Sequence, residues 1–345
     1  MLNNATSGLA CLPTELLLEI ISLFPSPPLK ASMFYCLTVG GRELTERSAV
    51  LVSLSQTCKA YRQIFVPILW EKIEAFQCTD PSVEVHPELP EWQEKVTSAI
   101  VRQLETVTIR DPALADHVQS ISFTLTESAQ GLYPWIAKCL PLLPRLTTVQ
   151  IFGLEFKGSE NALREAFEHV FVPSVQTLAI PNSAHVIFPS FPNVFNVICN
   201  SFYEASREDF LNRVIGYYPN ARCVHLCGLL LSPLLETMIH RLPNLREIGP
   251  IALYTGINEL PLQLLGHLHN LRLIKLTLVP RDYGNNDRWD IWSISPCVMT
   301  VIDTLRQIPA GAKEVKKLII NSTFTDQIEV YVGQGTERLV SLQSI

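Results

Sequence analysis

The stretch PNARCVHL (219–226) recurs, with variations, through most of the chain. PNLREI (243–248) and HNLRLIKL (269–276) follow it at nearly regular intervals. Each copy has an apolar residue, two variable residues, and an apolar residue at the next position; the longer copies add one variable and one apolar residue. The second half of the phrase therefore alternates with a period of two, which predicts a β-strand with one buried face.

Further copies extend the pattern toward both ends of the chain. They are DHVQSISF (116–123), PRLTTVQI (144–151), PSVQTLAI (173–180), PNVFNVIC (192–199) and KEVKKLII (313–320). The fourth residue of the apolar-x-x-apolar unit marks the centre of each predicted strand: Ile121, Val149, Leu178, Val197, Val224, Ile248, Ile274 and Leu318. Neighbouring centres lie 19 to 29 residues apart, except for a last interval of 44.

Helical patterns separate the predicted strands. They are LYPWIAKCL (132–140), NALREAFEHV (161–170), REDFLNRVIGYY (207–218), LLETMIHRL (234–242), PLQLLGHL (261–268) and VMTVIDTLRQI (298–308). One strand and one helix per repeat predicts an α/β fold, a curved solenoid with a parallel sheet over residues 110–345. The phrase resembles leucine-rich repeats in a degenerate form.

The N-terminal segment has a different pattern. LPTELLLEIISLF (12–24) places Leu16, Ile20 and Leu23 on one helical face. A second apolar stripe begins near Ser48, and PILWEKIEAF, which starts at Pro67, predicts a further short helix. Three short helices cannot bury so many large apolar side chains among themselves, so we expect a partner surface, either the next domain or another protein.

Three phrases in this segment, LPTELLLEII, LVSLSQTCKAYRQIF and PILWEKI, resemble in their order the F-box motif of fungal F-box proteins. The resemblance implies a three-helix module over residues 9–77 with an insertion at 25–47, and residues 78–109 are expected to form a linking helix. It also implies that the module binds a Skp-type adaptor and, through it, a cullin. The adaptor-facing residues implied by the match are Leu12, Pro13, Glu15, Leu16, Leu54, Cys58 and Trp70.

The function implied by this resemblance is that of a substrate receptor in a ubiquitin ligase, which binds an unidentified target protein through the solenoid. Candidate target contacts are polar residues at outward strand positions: Gln150, Gln176, Arg222, His225, Arg246, Glu247, Lys275 and Lys316. The segment RDYGNNDRWDIW (281–292) adds Tyr283, Arg288 and Trp289, of residue types common at binding hot spots. For each candidate, a solvated sheet face or a loop without a partner is the alternative.

A second function fits the same pattern. The chain could be a non-catalytic scaffold whose N-terminal helices only cap the solenoid, because the terminal repeats of such arrays need capping. Exposure of Leu12, Pro13 and Leu16 would favour adaptor docking, and their burial would favour a cap.

Sequence signatures of catalytic and metal sites are absent: there is no Walker loop, no GxSxG and no HExxH. Cys223, His225 and Cys227 alternate toward the predicted outward side, but zinc needs about four ligands and no second ligand pair follows. We therefore predict no enzyme activity, no metal, no cofactor and no obligate small molecule.

Composition narrows the class of protein further. Apolar residues make up 47% of the chain and charged residues 17%, with a net charge of −6, which excludes a disordered chain and does not favour a nucleic-acid partner. Nine cysteines in a chain of this length predict a reducing compartment. The N-terminus lacks the pattern of a secretory signal, and four prolines interrupt the uncharged stretch from His169 to Tyr203. We expect an intracellular protein of the cytoplasm or nucleus, without a membrane span.

Overall fold

The computed structural model describes most of the chain. The described residues are 12–24, 41–75, 90–153, 159–200, 207–226, 232–254, 262–279, 291–308, 316–322, 327–332 and 338–342. The chain divides into two compact units: Met1–Val175 with Ala179–Phe191, and Gln176–Leu178 with Pro192–Ile345. Both units combine helices with parallel strands, so the predicted α/β class is confirmed.

The described part of the first unit begins with three helices. They are α1 (Thr14–Ser22), α2 (Gly41–Thr57) and α3 (Lys59–Leu69). The predicted second helix is divided at Cys58, whose backbone is extended and whose Sγ accepts a hydrogen bond from the Tyr61 N–H. The short helix predicted from Pro67 is wrong, because α3 continues through Pro67 and the strand β1 (Lys72–Ala75) follows.

These three helices share a small apolar core. Leu17 and Ile21 of α1 are buried there with Leu51, Tyr61 and Phe65 from the other two helices. The rings of Tyr61 and Phe65 meet edge to face, with centroids 5.4 Å apart. The core therefore holds α1 by one side only, through two residues one turn apart.

The sheet of the first unit starts earlier than the repeat phrase predicted. The parallel strands β1, β2 (Ser120–Leu125) and β3 (Thr148–Gly153) follow one another in chain order. Ile73, which the repeat phrase does not include, pairs with Ile121, and Ile121 pairs with Val149. A helix, α4 (Pro90–Glu105), lies within the range predicted to link the two parts of the chain, and a π-helical turn (Thr106–Arg110) follows it.

Helices α5 (Tyr133–Cys139) and α6 (Ser159–Phe167) follow strands of the first unit, as predicted. A 3₁₀ helix (Asn182–Ser190) is an addition that no helical pattern in the sequence predicted. The 3₁₀ helix follows β4 (Thr177–Ile180), and this interval between strand centres is the shortest one, at 19 residues. The boundary between the units runs through β4, since Thr177 and Leu178 belong to the second unit.

The second unit contains the most regular part of the repeat. Five parallel strands follow in chain order: β5 (Asn196–Cys199), β6 (Cys223–His225), β7 (Glu247–Tyr254), β8 (Leu273–Val279) and β9 (Lys316–Ser322). The predicted centres face one another across all five strands, and each is buried: Val197, Val224, Ile248, Ile274 and Leu318. The predicted strand centres in this unit are therefore confirmed.

The intervening elements of the second unit also agree with the prediction. They are α7 (Arg207–Tyr217), α8 (Ser232–Arg241), a 3₁₀ helix (Leu262–His267) and α9 (Ile291–Gln307). The end of the chain differs, because β10 (Gln327–Val332) and β11 (Arg338–Leu342) join the sheet antiparallel. The strand–helix repeat therefore stops at β9 and does not extend to residue 345. Among the described residues, no helix is both long enough and apolar enough to cross a membrane.

Candidate functional site

The first candidate site is the face of α1 that points away from the three-helix core. Leu16 and Ile20 are 45% and 40% exposed, and Leu23 is 78% exposed. Their spacings of four and three residues place them in one stripe along the helix. The helix therefore presents an apolar surface to solvent while its other side is buried.

The other predicted adaptor-facing residues lie near this stripe in sequence or on the two following helices. Pro13, Glu15 and Cys58 are exposed, and Leu12, Leu54 and Trp70 are half-buried. Leu12 and Leu54 pack against the three-helix core, so part of their role is structural. Cys58 caps α3, which gives it a structural role as well.

A polar depression of about 420 Å³ lies in the second unit. It is lined by Asn220, Arg222, Asn244, Arg246 and Asn270. These residues come from an Asn-x-Arg phrase repeated before β6, β7 and β8. The Asn244 side-chain amide donates to Asn220 Oδ1 at 3.2 Å, and the Asn270 amide donates to the Pro243 carbonyl at 3.0 Å, so each of these asparagines bonds to the preceding repeat.

The two arginines of this depression are exposed. The guanidinium of Arg222 lies 5.1 Å from the centre of the Phe195 ring. Neither Arg222 nor Arg246 forms an ion pair with any carboxylate in the described part of the chain. Both predicted target contacts are thus placed at one open, positively charged surface.

A second polar cluster joins β6 to β7. Cys223 lies directly opposite Glu247 in the sheet, and His225 follows Cys223 by two residues. His225 Nε2 is 2.7 Å from Glu247 Oε1 and 3.4 Å from Cys223 Sγ. The three ligand-type atoms all lie within 4.8 Å of one another.

The prediction that His225 is an outward residue available for target contact is wrong, because its side chain is fully buried. It lies beside Ile198 of β5 in register and contacts Glu247 of β7. Alternation placed Cys223 and His225 on a common face, as the contact between them requires, but both residues are buried there.

Lys275, another predicted target contact, forms an ion pair with Glu247 of this cluster. Its Nζ donates to Glu247 Oε1 at 2.6 Å, and its side chain is only 15% exposed. A bulge between Ile248 and Ile251 sets the pairing of β7 with β8 at this point. Gly249 within the bulge has a φ of +135°, which only glycine readily adopts.

The remaining predicted contacts fall into different environments. Gln176 is exposed, whereas Gln150 is buried and accepts a 3.0 Å hydrogen bond from Ser122. Lys316 is also buried, and its Nζ donates to the backbone carbonyls of Leu305 and Ile308 at the end of α9. The prediction that Gln150 and Lys316 are outward residues available for target contact is therefore wrong. Tyr283, Arg288 and Trp289 lie outside the described residues.

A smaller depression of about 200 Å³ lies on the sheet of the first unit. Its lining includes Glu74, Ser122 and Gln150. Burial raises the pKa of the Glu74 carboxyl, and the charges of Lys72 and Arg47 partly oppose this rise. The lining contains no cysteine and no histidine, so it offers neither a thiol nor an imidazole for catalysis.

The sequence pattern did not identify Glu247 as a member of the Cys223–His225 cluster. The signal was present in the strand centres, because pairing Val224 with Ile248 also brings Cys223 opposite Glu247. A search for closely spaced ligands along the chain cannot find Cys223 and Glu247 together, since the two residues are 24 positions apart.

No protein-family model matches this chain, and no curated protein sequence matches it. The functional argument therefore depends on the motifs and the geometry of the chain itself.

Proposed function

We propose that this protein is the substrate-recruiting receptor subunit of a Skp–cullin–F-box ubiquitin ligase. The observation that carries the proposal is the exposed apolar stripe of Leu16, Ile20 and Leu23. It lies on the helix whose sequence resembles the opening of the F-box motif, and Pro13 and Glu15 are exposed at the start of that helix. The stripe is the surface that we assign to the Skp-type adaptor.

The stripe is large enough to contribute to binding. Full burial of a leucine or isoleucine side chain contributes about 1.5–3 kcal/mol, so covering three side chains that are about half exposed contributes on the order of 3 kcal/mol. Exposed apolar side chains in a continuous row are typical of interaction surfaces. The buried Leu17 and Ile21 hold the helix in place while the opposite face binds.

The target-binding end of the proposal is the depression lined by Arg222 and Arg246. Two exposed guanidinium groups without carboxylate partners in the described residues, together with asparagine amides, suit an acidic segment of a target protein. In this function the protein supplies no chemical step. It holds the target near a separate ubiquitin-transferring enzyme and so raises the effective concentration of a target lysine.

One observation favours the alternative of a non-catalytic scaffold. The backbone passes from α3 through Trp70 and Glu71 directly into β1, and the carbonyl of Glu71 accepts hydrogen bonds from the amides of Gln119 and Ser120. Helices joined to the sheet in this way can cap a repeat array. A helix that only caps the repeats does not need the exposed apolar stripe of α1, whereas adaptor binding does. The stripe therefore distinguishes the two functions.

The decisive experiment measures binding of the purified full chain to a Skp-type adaptor by isothermal titration calorimetry. The test variant carries Leu16→Glu and Ile20→Glu together. The control is Phe171→Glu, which puts one such charge on a large apolar side chain that is 62% exposed and is not part of the three N-terminal helices. Because all three positions are exposed, we expect every variant to fold.

We expect the wild type and Phe171→Glu to bind the adaptor with equal affinity and the double variant to lose binding. A second variant with Pro13→Ala and Trp70→Ala should weaken binding through the remaining contacts. A folded wild-type chain that does not bind, or a double variant that binds as the wild type does, would overturn the proposal in favour of the scaffold.

A further inference from the structure

Cys223, His225 and Glu247 bring a thiol, an imidazole and a carboxylate to one point between β6 and β7. We propose that these three residues form a binding site for a divalent transition metal, with Zn²⁺ as the best-matched ion. The inference is independent of the adaptor-binding and target-binding roles proposed above. It concerns a group of residues that adaptor docking does not use.

The three ligand atoms lie within 4.8 Å of one another, and the pair Cys223 Sγ and His225 Nε2 has the separation of a tetrahedral zinc site. Zn–S bonds of about 2.3 Å and Zn–N and Zn–O bonds of about 2.0–2.2 Å place neighbouring ligand atoms about 3.3–3.6 Å apart. The distance from Cys223 Sγ to His225 Nε2 is 3.4 Å, which already fits. The 2.7 Å from His225 Nε2 to Glu247 Oε1 must widen by about 0.6 Å to reach these separations. Glu247 is the most exposed member of the cluster, so its carboxylate has room to move.

The donor set also matches zinc in chemistry. Thiolate and imidazole are ligands that Zn²⁺ prefers over Mg²⁺ or Ca²⁺, and a carboxylate completes several known zinc sites. The thiolate of Cys223 and the carboxylate of Glu247 together neutralise the two charges of the ion. Binding releases the Cys223 thiol proton to solvent and requires neutral His225, which coordinates through Nε2. Three protein ligands leave a fourth position for water or another molecule.

The same residues could be mistaken for a cysteine nucleophile with its base and orienting carboxylate. In that arrangement the thiol meets one imidazole nitrogen and the carboxylate holds the other one. Here Cys223 Sγ and Glu247 Oε1 both approach His225 Nε2. Convergence on a single ring nitrogen is poor geometry for a nucleophile and suits coordination of a shared ion.

Lys275 competes with a metal ion for the carboxylate of Glu247. Its ammonium donates to Glu247 Oε1 and places a positive charge beside the position of the metal. A hydrogen-bonded network of His225, Glu247 and Lys275 without a metal is the alternative account of the cluster. The two accounts predict different effects of Lys275→Met. If the cluster binds a metal, removal of the competing cation increases metal affinity. If the cluster is only a hydrogen-bonded network, the substitution removes one bond and no metal binds.

The test uses the purified full chain, freed of metal by a chelator and kept reduced. Co²⁺ is the spectroscopic probe, since thiolate coordination gives a charge-transfer band and a tetrahedral site gives intense visible bands. Zn²⁺ then competes for the same site. The variants are Cys223→Ser, Glu247→Gln and Lys275→Met, and the control is Cys139→Ser, which removes a buried thiol that contacts Thr108 in the first unit.

We expect the wild type and Cys139→Ser to bind Co²⁺ with the thiolate band and to lose it to Zn²⁺. Cys223→Ser should abolish the band and weaken affinity by about a hundredfold, since even outer-shell partners of a metal change its affinity by 10–100-fold. Glu247→Gln should weaken affinity as well, and Lys275→Met should strengthen it by about tenfold.

Circular dichroism and urea unfolding establish that each variant is folded before the metal titration. A thiolate band that persists in folded Cys223→Ser comes from other cysteines and would overturn the assignment. The same conclusion follows if the folded wild type binds no Co²⁺, or if folded Glu247→Gln and Lys275→Met both bind the metal as the wild type does.

Discussion

Replacement of Gly249 by alanine tests the bulge between β7 and β8, where the Gly249 backbone lies against Lys275. Gly249 has a φ of +135°, and a Cβ placed there would lie 2.5 Å from the backbone oxygen of Lys275 and 2.7 Å from its Cβ. Neither of these atoms is the end of a flexible side chain, so β7 must move away from β8 to relieve the contact.

The expected loss of stability has two parts. A non-glycine residue held in a sparsely populated backbone region costs about 1–3 kcal/mol. The overlap with Lys275 forces a shift in a buried, paired strand, and overpacking of this kind costs about 1–3 kcal/mol more. We therefore expect Gly249→Ala to lower the free energy of unfolding by about 3 kcal/mol or more, near the upper end for single substitutions.

The assay is urea unfolding followed by intrinsic fluorescence and far-UV circular dichroism, with the midpoint and the slope compared between chains. Gly216→Ala is the matched control, because Gly216 lies in α7 and an added Cβ there meets nothing within 4 Å. Alanine in a helix is favoured over glycine by about 0.5–1 kcal/mol, so this control should be neutral or stabilising. If Gly249→Ala unfolds at the same urea concentration as the wild type, the argument from the bulge is wrong.

Two further predictions concern the first unit. Gln103→Ala should lower the free energy of unfolding by about 1–3 kcal/mol, because the Gln103 amide donates to the Glu74 carbonyl at 2.9 Å and accepts from the Glu74 N–H at 3.2 Å. Urea unfolding beside exposed Gln56→Ala measures this, and equal effects of the two substitutions would refute the role of Gln103 at the strand. Burial raises the pKa of the Tyr133 phenol above its ordinary value of 10.0, and its hydroxyl donates to the Thr126 carbonyl at 2.9 Å. Because the folded chain holds this proton more tightly than the unfolded chain, the stabilisation is present below about pH 10 and is lost as the pH rises further. Unfolding measured at pH 9 and pH 11 should therefore show a smaller loss for Tyr133→Phe than for the wild type, and an identical loss in both chains would contradict the assignment.

The strand centres show how much of the fold the sequence could predict. An apolar residue recurring every 19 to 29 positions, at the centre of an alternating phrase, identified which residues face each other across β5 to β8, and the longer last interval still placed β9. Ile73 was not predicted as a strand centre because it lies 48 residues before Ile121 and its phrase lacks the leading apolar unit. The helix expected from Pro67 failed for a related reason, since the pairing of β1 with β2 decided the conformation of the residues after Trp70.

The candidate sites were predicted less completely. Leu16 and Pro13 are exposed, and exposure was the outcome expected for adaptor docking, whereas Leu12 is half-buried. Adaptor and target binding themselves stay predictions, and so does the ubiquitin-ligase role. Arg222 and Arg246 were named as outward residues and are exposed beside one depression. Lys316 was named in the same way, but its ammonium is buried at the end of α9.

The sequence by itself determined the alternation of strands and helices, the buried row of strand centres and the side of the sheet on which each neighbouring residue lies. Those features depend on the local periodicity of apolar residues, which can be read from a short segment of the sequence alone. Only the tertiary structure decided which of the outward residues are exposed, because Glu247, which contacts both His225 and Lys275, lies 22 and 28 positions from them along the chain. Side-chain direction is a property of one strand, whereas burial and ligand convergence are properties of several strands packed together.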